Sequence, residues 1–518
     1  MNHCHSTSEE TLSLFNEKTL SDLESEYADE EAEKRFPSLS WTDSVRPYIR
    51  AARICSWRTL FYRTGFALLP SFVQNQITPD DGRPGKIHPT AYLDGMRGLA
   101  ALFVFFCHYF YTSFVITFGY GQGTAGTNNH ILQLPILRLV YSGPPMVCVF
   151  FVISGYALSL KPLKLMRARS WDNLTNTITS SIFRRGLRLF LPTTISTFIV
   201  FVMLQLNFYE GTREFAYDKK YLRNVNERHP DHFATFGMQF YDWCEKVFDF
   251  IHVWSWKPFG GSTNYDVHLW TIPVEFRCSL FLFVVLMGVA KLKTWIRFVA
   301  LAGIAWFTYL NDRWEMLLFL AGAFLAEIDL ISAARKASHS IASKGLLDLS
   351  PTKSKKRMGI FWIVLSVFGL FLMSQPDDSF ASTPGWVYLS TLIPKWCTDK
   401  YRYYQVLGSI LFVACTNRSE TLQKPFNTAV VQYLGKISYA MYLVHGPVLH
   451  VIGYRIERWA WGITGIETQQ QYIAGFVLAG VFIVPLVIWI SDLFWRGVDA
   501  KTVSFARWVE ARCNVEEE

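Results

Sequence analysis

The stretch TAYLDGMRGLAALFVFFCHYFYTSF, residues 90–114, decides the fold. From Leu99 to Phe106 every side chain is apolar, Arg97 stands before the run and His108 inside its far half. Such a segment crosses a hydrocarbon layer of ~30 Å as a helix of about twenty residues. Runs of this kind recur along the chain. The expected spans are about 97–118, 137–160, 187–207, 268–289, 297–311, 313–330, 359–374, 403–416, 434–456 and 473–495, with boundaries uncertain by several residues. The reading is an all-α polytopic membrane protein with about ten transmembrane helices.

Composition agrees. Of 518 residues, 51% are hydrophobic and 16% aromatic, and only 18% are charged, which excludes a soluble globule, a fibre and a disordered chain. The net charge of +8 is read as membrane orientation and not as nucleic-acid affinity, because cytoplasmic loops collect Lys and Arg. The loop 119–136 has neither, whereas the next one holds Lys161, Lys164, Arg167, Arg169, Arg184 and Arg185. Both termini are therefore expected in the cytoplasm. Residues 1–45 are expected as a disordered acidic cytoplasmic tail, 46–89 as an interfacial amphipathic segment and linker in contact with membrane lipid, 90–500 as the membrane domain and 501–518 as a cytoplasmic C-terminal tail. The nine cysteines contain no CxxC pair and give no zinc or disulfide framework.

Ionisable groups inside spans are costly and therefore candidates for function. His108 lies eleven residues after Arg97, roughly 16 Å along a helix and within about 20° of three whole turns. Both side chains thus share one face, with a guanidinium near the cytoplasmic surface and an imidazole deeper in line. That suits a long ligand with an anionic head and a reactive tail, such as an acyl thioester of coenzyme A. The bland reading is a buried histidine bonded to a neighbouring helix. Arg188, with Arg184 and Arg185, opens the third span and either clamps phosphates or anchors orientation. Ser154 and Tyr156 flank Gly155 as ligand contacts or as a helix-packing notch.

Glu275, seven residues after His268, shares a helical face with it if that span is regular. His268 is expected near the outer surface and Glu275 deeper, the latter orienting His108, binding an acceptor hydroxyl or pairing with a buried arginine. His445 and Tyr442 precede Pro447, where a kink accompanies either a ligand cavity or helix-to-helix hydrogen bonding. Cys107 diverges from His108 by about 100° and reads as a packing residue. His229 and His232 are spaced like metal ligands but are expected on a solvated loop, so no metal is assigned. Intramembrane His, Glu and Arg also suit a proton-coupled transporter or exporter, though no repeated halves are visible.

The stretch 90–108 closely resembles the signature of the acyltransferase 3 family of integral membrane proteins, Leu-Asp-Gly-hydrophobic-Arg-Gly with ten residues separating the Arg from a His. Phe150-Phe151-Val152-Ile153-Ser154-Gly155-Tyr156, Leu269-Trp270-Thr271-Ile272-Pro273-Val274-Glu275-Phe276 and Ile437-Ser438-Tyr439-Ala440-Met441-Tyr442-Leu443-Val444-His445-Gly446-Pro447 resemble three further family elements in order. The wording is most similar to fungal members. The resemblance implies transfer of an acyl group, usually acetyl, from cytoplasmic acyl-CoA to a hydroxyl of a secondary metabolite or glycan, in an endomembrane or the plasma membrane. It also implies that Arg97 and His108 are the essential pair, with His108 as general base or as acyl carrier.

Overall fold

A computed structural model describes residues 57–77, 88–122, 129–255, 262–343 and 352–513. The expected tail 1–45 and part of the segment 46–89 lie outside them. By contacts the chain divides into a small unit, whose described residues are 57–77 and 164–173, and a large one that holds the candidate site. In the small unit Trp57–Leu68 and Ser71–Ile77 are helical, and Gln74 Nε2 donates to the carbonyls of Phe66 and Leu69 at 2.7 and 2.9 Å.

The described residues form helices and no named strand. The longer ones are α1 (Ala91–Tyr111), α2 (Gly143–Arg167), α3 (Trp171–Gln205), α4 (Phe236–Ile251), α5 (Thr271–Val289), α6 (Thr294–Leu310), α7 (Trp314–Ser343), α8 (Thr352–Met373), α9 (Tyr403–Arg418), α10 (Ala429–Val448), α11 (Tyr454–Thr464), α12 (Gln469–Phe494) and α13 (Ala500–Cys513). Among the described residues, five helices are by length and composition able to cross a membrane: Gly143–Arg167, Trp171–Gln205, Val267–Val289, Trp314–Arg335 and Gln469–Cys513. Helix α1 and helix α10 are not among them. Both are interrupted by the polar groups that make up the site.

Glycines set how closely the helices approach. A Cβ on Gly98 would stand 2.2 Å from the backbone nitrogen of Gly435, and one on Gly435 would stand 2.4 Å from the carbonyl oxygen of Asp94. Thus α1 and α10 run side by side in the same direction, in backbone contact. The Leu-Asp-Gly-Met-Arg-Gly sequence therefore supplies two packing positions with an arginine between them. The same device joins α2 to α7, where a Cβ on Gly155 would meet Phe319 O at 2.2 Å. Aromatic packing locks the far end of α1 to α12. The Tyr109 ring stacks on Phe476 at 4.3 Å and its hydroxyl donates to Phe476 O at 2.7 Å.

The loop after α3 is not a solvated tether. Gln239 of α4 donates to Tyr265, and His229 is buried against the rings of Tyr209, His450 and Tyr454. The expectation that His229 lies in solvent is therefore corrected. The loop is long enough, and rich enough in Tyr, Phe and Trp, to bury its own polar residues. His232 is exposed, as expected, and lies 3.5 Å from Glu210.

Candidate functional site

The site is strung along α1 and faced by α10. At one end Arg97, one-third exposed, lies 3.6 Å from Asp94 and donates from Nε to Ser438 Oγ at 3.4 Å. Arg188 of α3 keeps accessible side-chain area there, and the charges near it belong to Arg97, Arg185, Asp499 and Glu275. This end gathers guanidinium groups from two helices, with side-chain area left accessible.

Eleven residues on, His108 meets two further imidazoles. Its ring centroid lies 4.0 Å from that of His268 and 5.2 Å from that of His445, and the last two are 5.0 Å apart. Since Arg97 touches Ser438 and His108 touches His445, both α1 side chains face α10, as the helical phase requires.

His268 is not a surface residue. It sits in a single 3-10 turn, Val267–Trp270, ahead of α5, so the seven-residue helical phase with Glu275 does not hold. Asp266 caps that turn, accepting from the backbone N–H of His268 at 3.0 Å and bonding its Nδ1 at 2.8 Å. Glu227 bonds His268 Nε2 at 2.6 Å through one oxygen and His450 Nε2 at 2.5 Å through the other. Burial alone would raise the Glu227 carboxyl, but the facing imidazoles outweigh it and hold the group well below the usual carboxylate range. Tyr442 fastens the same turn from α10: its hydroxyl donates to His268 O and accepts from Thr271 Oγ1 at 2.7 Å.

His445 is fully buried and turns Nδ1 toward the carbonyls of Met441 and Tyr442 at 3.1 and 2.9 Å. Carbonyls only accept, so the proton sits on Nδ1 and Nε2 presents a lone pair. That Nε2 and His108 Nδ1 are buried without a hydrogen-bond partner among the described residues. The three imidazoles offer nitrogens within 4.8 Å of one another, the spacing of a metal set. His268, however, has both nitrogens on carboxylates, so the arrangement as it stands presents two free nitrogens and not three.

The remaining candidates separate from this cluster. Glu275 takes Arg185 at 2.7 Å and the Ser154 hydroxyl at 2.9 Å, so its bonds go to the arginine end and not to His108. Buried pairing, one of its expected roles, is the one visible. Tyr156 is buried and donates to Asp329 Oδ2 at 3.1 Å, in a network that includes Arg418 at 3.1 Å. Cys107 lies at Gly143, where a Cβ would reach its sulfur at 3.1 Å. Sequence reasoning missed Glu227, Asp266 and His450. Asp266, two residues before His268 at a helix start, carried a capping signal; Glu227, in a distant loop, carried none.

The profile of a family described as "Acyltransferase domain" matches residues 90–495. The O-acetyltransferase PaAT-1 of Phomopsis amygdali is 31% identical over 464 residues, covering 86% of this chain and 88% of that protein. Acyltransferase R4 of a Phoma species and acyltransferase clz18 of Cochliobolus lunatus are each 26% identical, covering 79% of this chain and 93% of theirs. No solved structure matches.

Proposed function

The chain belongs to the acyltransferase 3 family and is an O-acyltransferase, and on that premise we propose that it moves an acetyl group from cytoplasmic acetyl-CoA to a hydroxyl of a secondary metabolite or glycan. What carries the reading is the line of two chemistries along α1. Guanidinium groups of Arg97 and Arg188 at the open end suit the phosphates of the donor. Imidazoles with free nitrogens at the closed end suit the acyl transfer itself. The name of the Phomopsis relative supports acetyl as the group and oxygen as the acceptor atom.

In the proposed step His108 accepts the proton of the acceptor hydroxyl as its oxygen attacks the thioester carbonyl carbon. The tetrahedral adduct then expels sulfur, the C–S bond breaks, and the proton on His108 passes to the departing thiolate. His445 Nε2 and the Tyr442–His268 turn hold the acceptor, while Glu275 keeps Arg185 in place beside the donor. No metal enters this step. The proposed topology has about ten spans, with both termini, the acidic tail 1–45 and the tail 501–518 in the cytoplasm, and the segment 46–89 in the lipid interface of an endomembrane or the plasma membrane.

The test is reconstituted full-length protein with labelled acetyl-CoA. Thiol release and label transfer are expected, with a loss of about 10²–10⁴ in His108→Ala at an unchanged unfolding temperature. Label accumulating inside vesicles without thiol release would instead identify a transporter.

A further inference from the structure

Three imidazoles at ring separations of 4.0, 5.0 and 5.2 Å cannot all be cations away from bulk water. Something must settle which of them is charged. His268 faces a carboxylate at each nitrogen, Asp266 at Nδ1 and Glu227 at Nε2. A neutral imidazole has one N–H, so both bonds are donated together only when His268 is the cation. His445 keeps its single proton on Nδ1 against two carbonyls. Among the described residues His108 makes ring contacts with Tyr111, His268 and His445, and the charges of Glu227 and His450 also reach it.

We propose that Glu227 and Asp266 are positioning residues of the transfer reaction, holding the cluster's one positive charge on His268 so that His108 stays a neutral base. The proposal rests on the reading of His108 as that base. The charge beside His108 disfavours a second proton there at rest, and the base is then free when a hydroxyl arrives. The groups around His268 that take part are Asp266, Glu227, His108, His445, His450 and Tyr442. Glu227 does more than touch one ring. By bonding His450 with its second oxygen, it ties the loop after α3 to the end of α10 and fixes where its first oxygen points.

The experiment is the pH profile of thiol release from acetyl-CoA by full-length protein in lipid discs, comparing the unaltered chain with Glu227→Gln. The amide keeps the shape and removes the charge, so His268 gives up its proton and acid protonates His108 sooner. The acid limb is expected to move about one pH unit toward neutral, with the alkaline plateau within about threefold of the unaltered chain. A role confined to stability would lower the rate evenly at every pH and leave the limb in place, and that result overturns the proposal. If Glu227→Gln does not fold, His268→Gln carries the same expected shift, because it also removes the cation beside His108. An unmoved limb in that variant is equally decisive. Absence of thiol release from the unaltered chain, by contrast, would overturn the base reading itself.

Discussion

The two ends of α1 solve opposite problems. At the Arg97 end guanidinium groups stand among the carboxylates of Asp94, Glu275 and Asp499, and Arg97 itself is partly accessible and lightly tied: a 3.6 Å approach to Asp94 and a long bond to Ser438. At the His108 end His268 and His445 are buried, and the ring nitrogens of His268 and the Nδ1 of His445 each face a named acceptor. An open cluster of guanidinium groups is suited to a polyanion that arrives and leaves, since exposed charge costs little to keep and phosphate replaces water around it. A closed cluster is suited to chemistry, because fixed partners in a low-dielectric site determine which nitrogen accepts a proton. On the proposed roles, the difference teaches that one helix can divide donor binding from reaction by burial.

The strongest way to break the contrast is at Gly446. A Cβ there would lie 2.6 Å from His268 Nδ1 and 3.1 Å from Asp266 Oδ1. Gly446→Ala is expected to push the His268 turn off α10 and lower kcat about 10–100-fold, with a much smaller change in the Michaelis constant for acetyl-CoA. Steady-state kinetics in lipid discs decide this. A kcat within twofold of the unaltered chain would show that the ring position does not matter.

The open end calls for a milder change. Arg97→Lys keeps the charge but loses the planar fork, so the Michaelis constant for acetyl-CoA is expected to rise about tenfold while kcat holds. A fall in kcat with unchanged Michaelis constant would move Arg97 from binding to chemistry and erase the contrast.

The smallest effect sharpens the picture of the closed end. Burial, with His450 close by, pushes His229 down to about 3. Its folded value is below its unfolded value near 6.5, so its contribution to stability is complete above about pH 6.5 and is lost as pH falls. Glu227, also depressed, adds further loss at lower pH. Opening of the loop 208–255 is expected to rise by up to tenfold per pH unit below about 6.5. Hydrogen exchange at pH 7.5 and 5.5 measures it, and equal protection at both would remove His229 from the account.

Much of this was legible in the residues. The apolar runs fixed an all-helical membrane protein, and the eleven-residue interval placed Arg97 and His108 on one face, because helical phase is a local property. The same logic failed at His268, where a 3-10 turn breaks the phase that a regular span would impose. Gly155 read equally as notch or ligand contact, and only the 2.2 Å approach to Phe319 O distinguishes them.

What the tertiary structure alone decided is the choice of partners. Glu227 is 41 residues from His268 and 223 from His450, and no periodicity connects them. Glu275 was open to orienting His108, binding an acceptor or pairing with an arginine, and Arg185, 90 residues away, is the partner it meets. Spacing along a helix is dictated by backbone geometry and can be counted in the sequence. The identity of a buried charge's partner depends on which of many distant groups the packed chain brings within hydrogen-bond reach, and desolvation makes that choice binding only once the fold is complete.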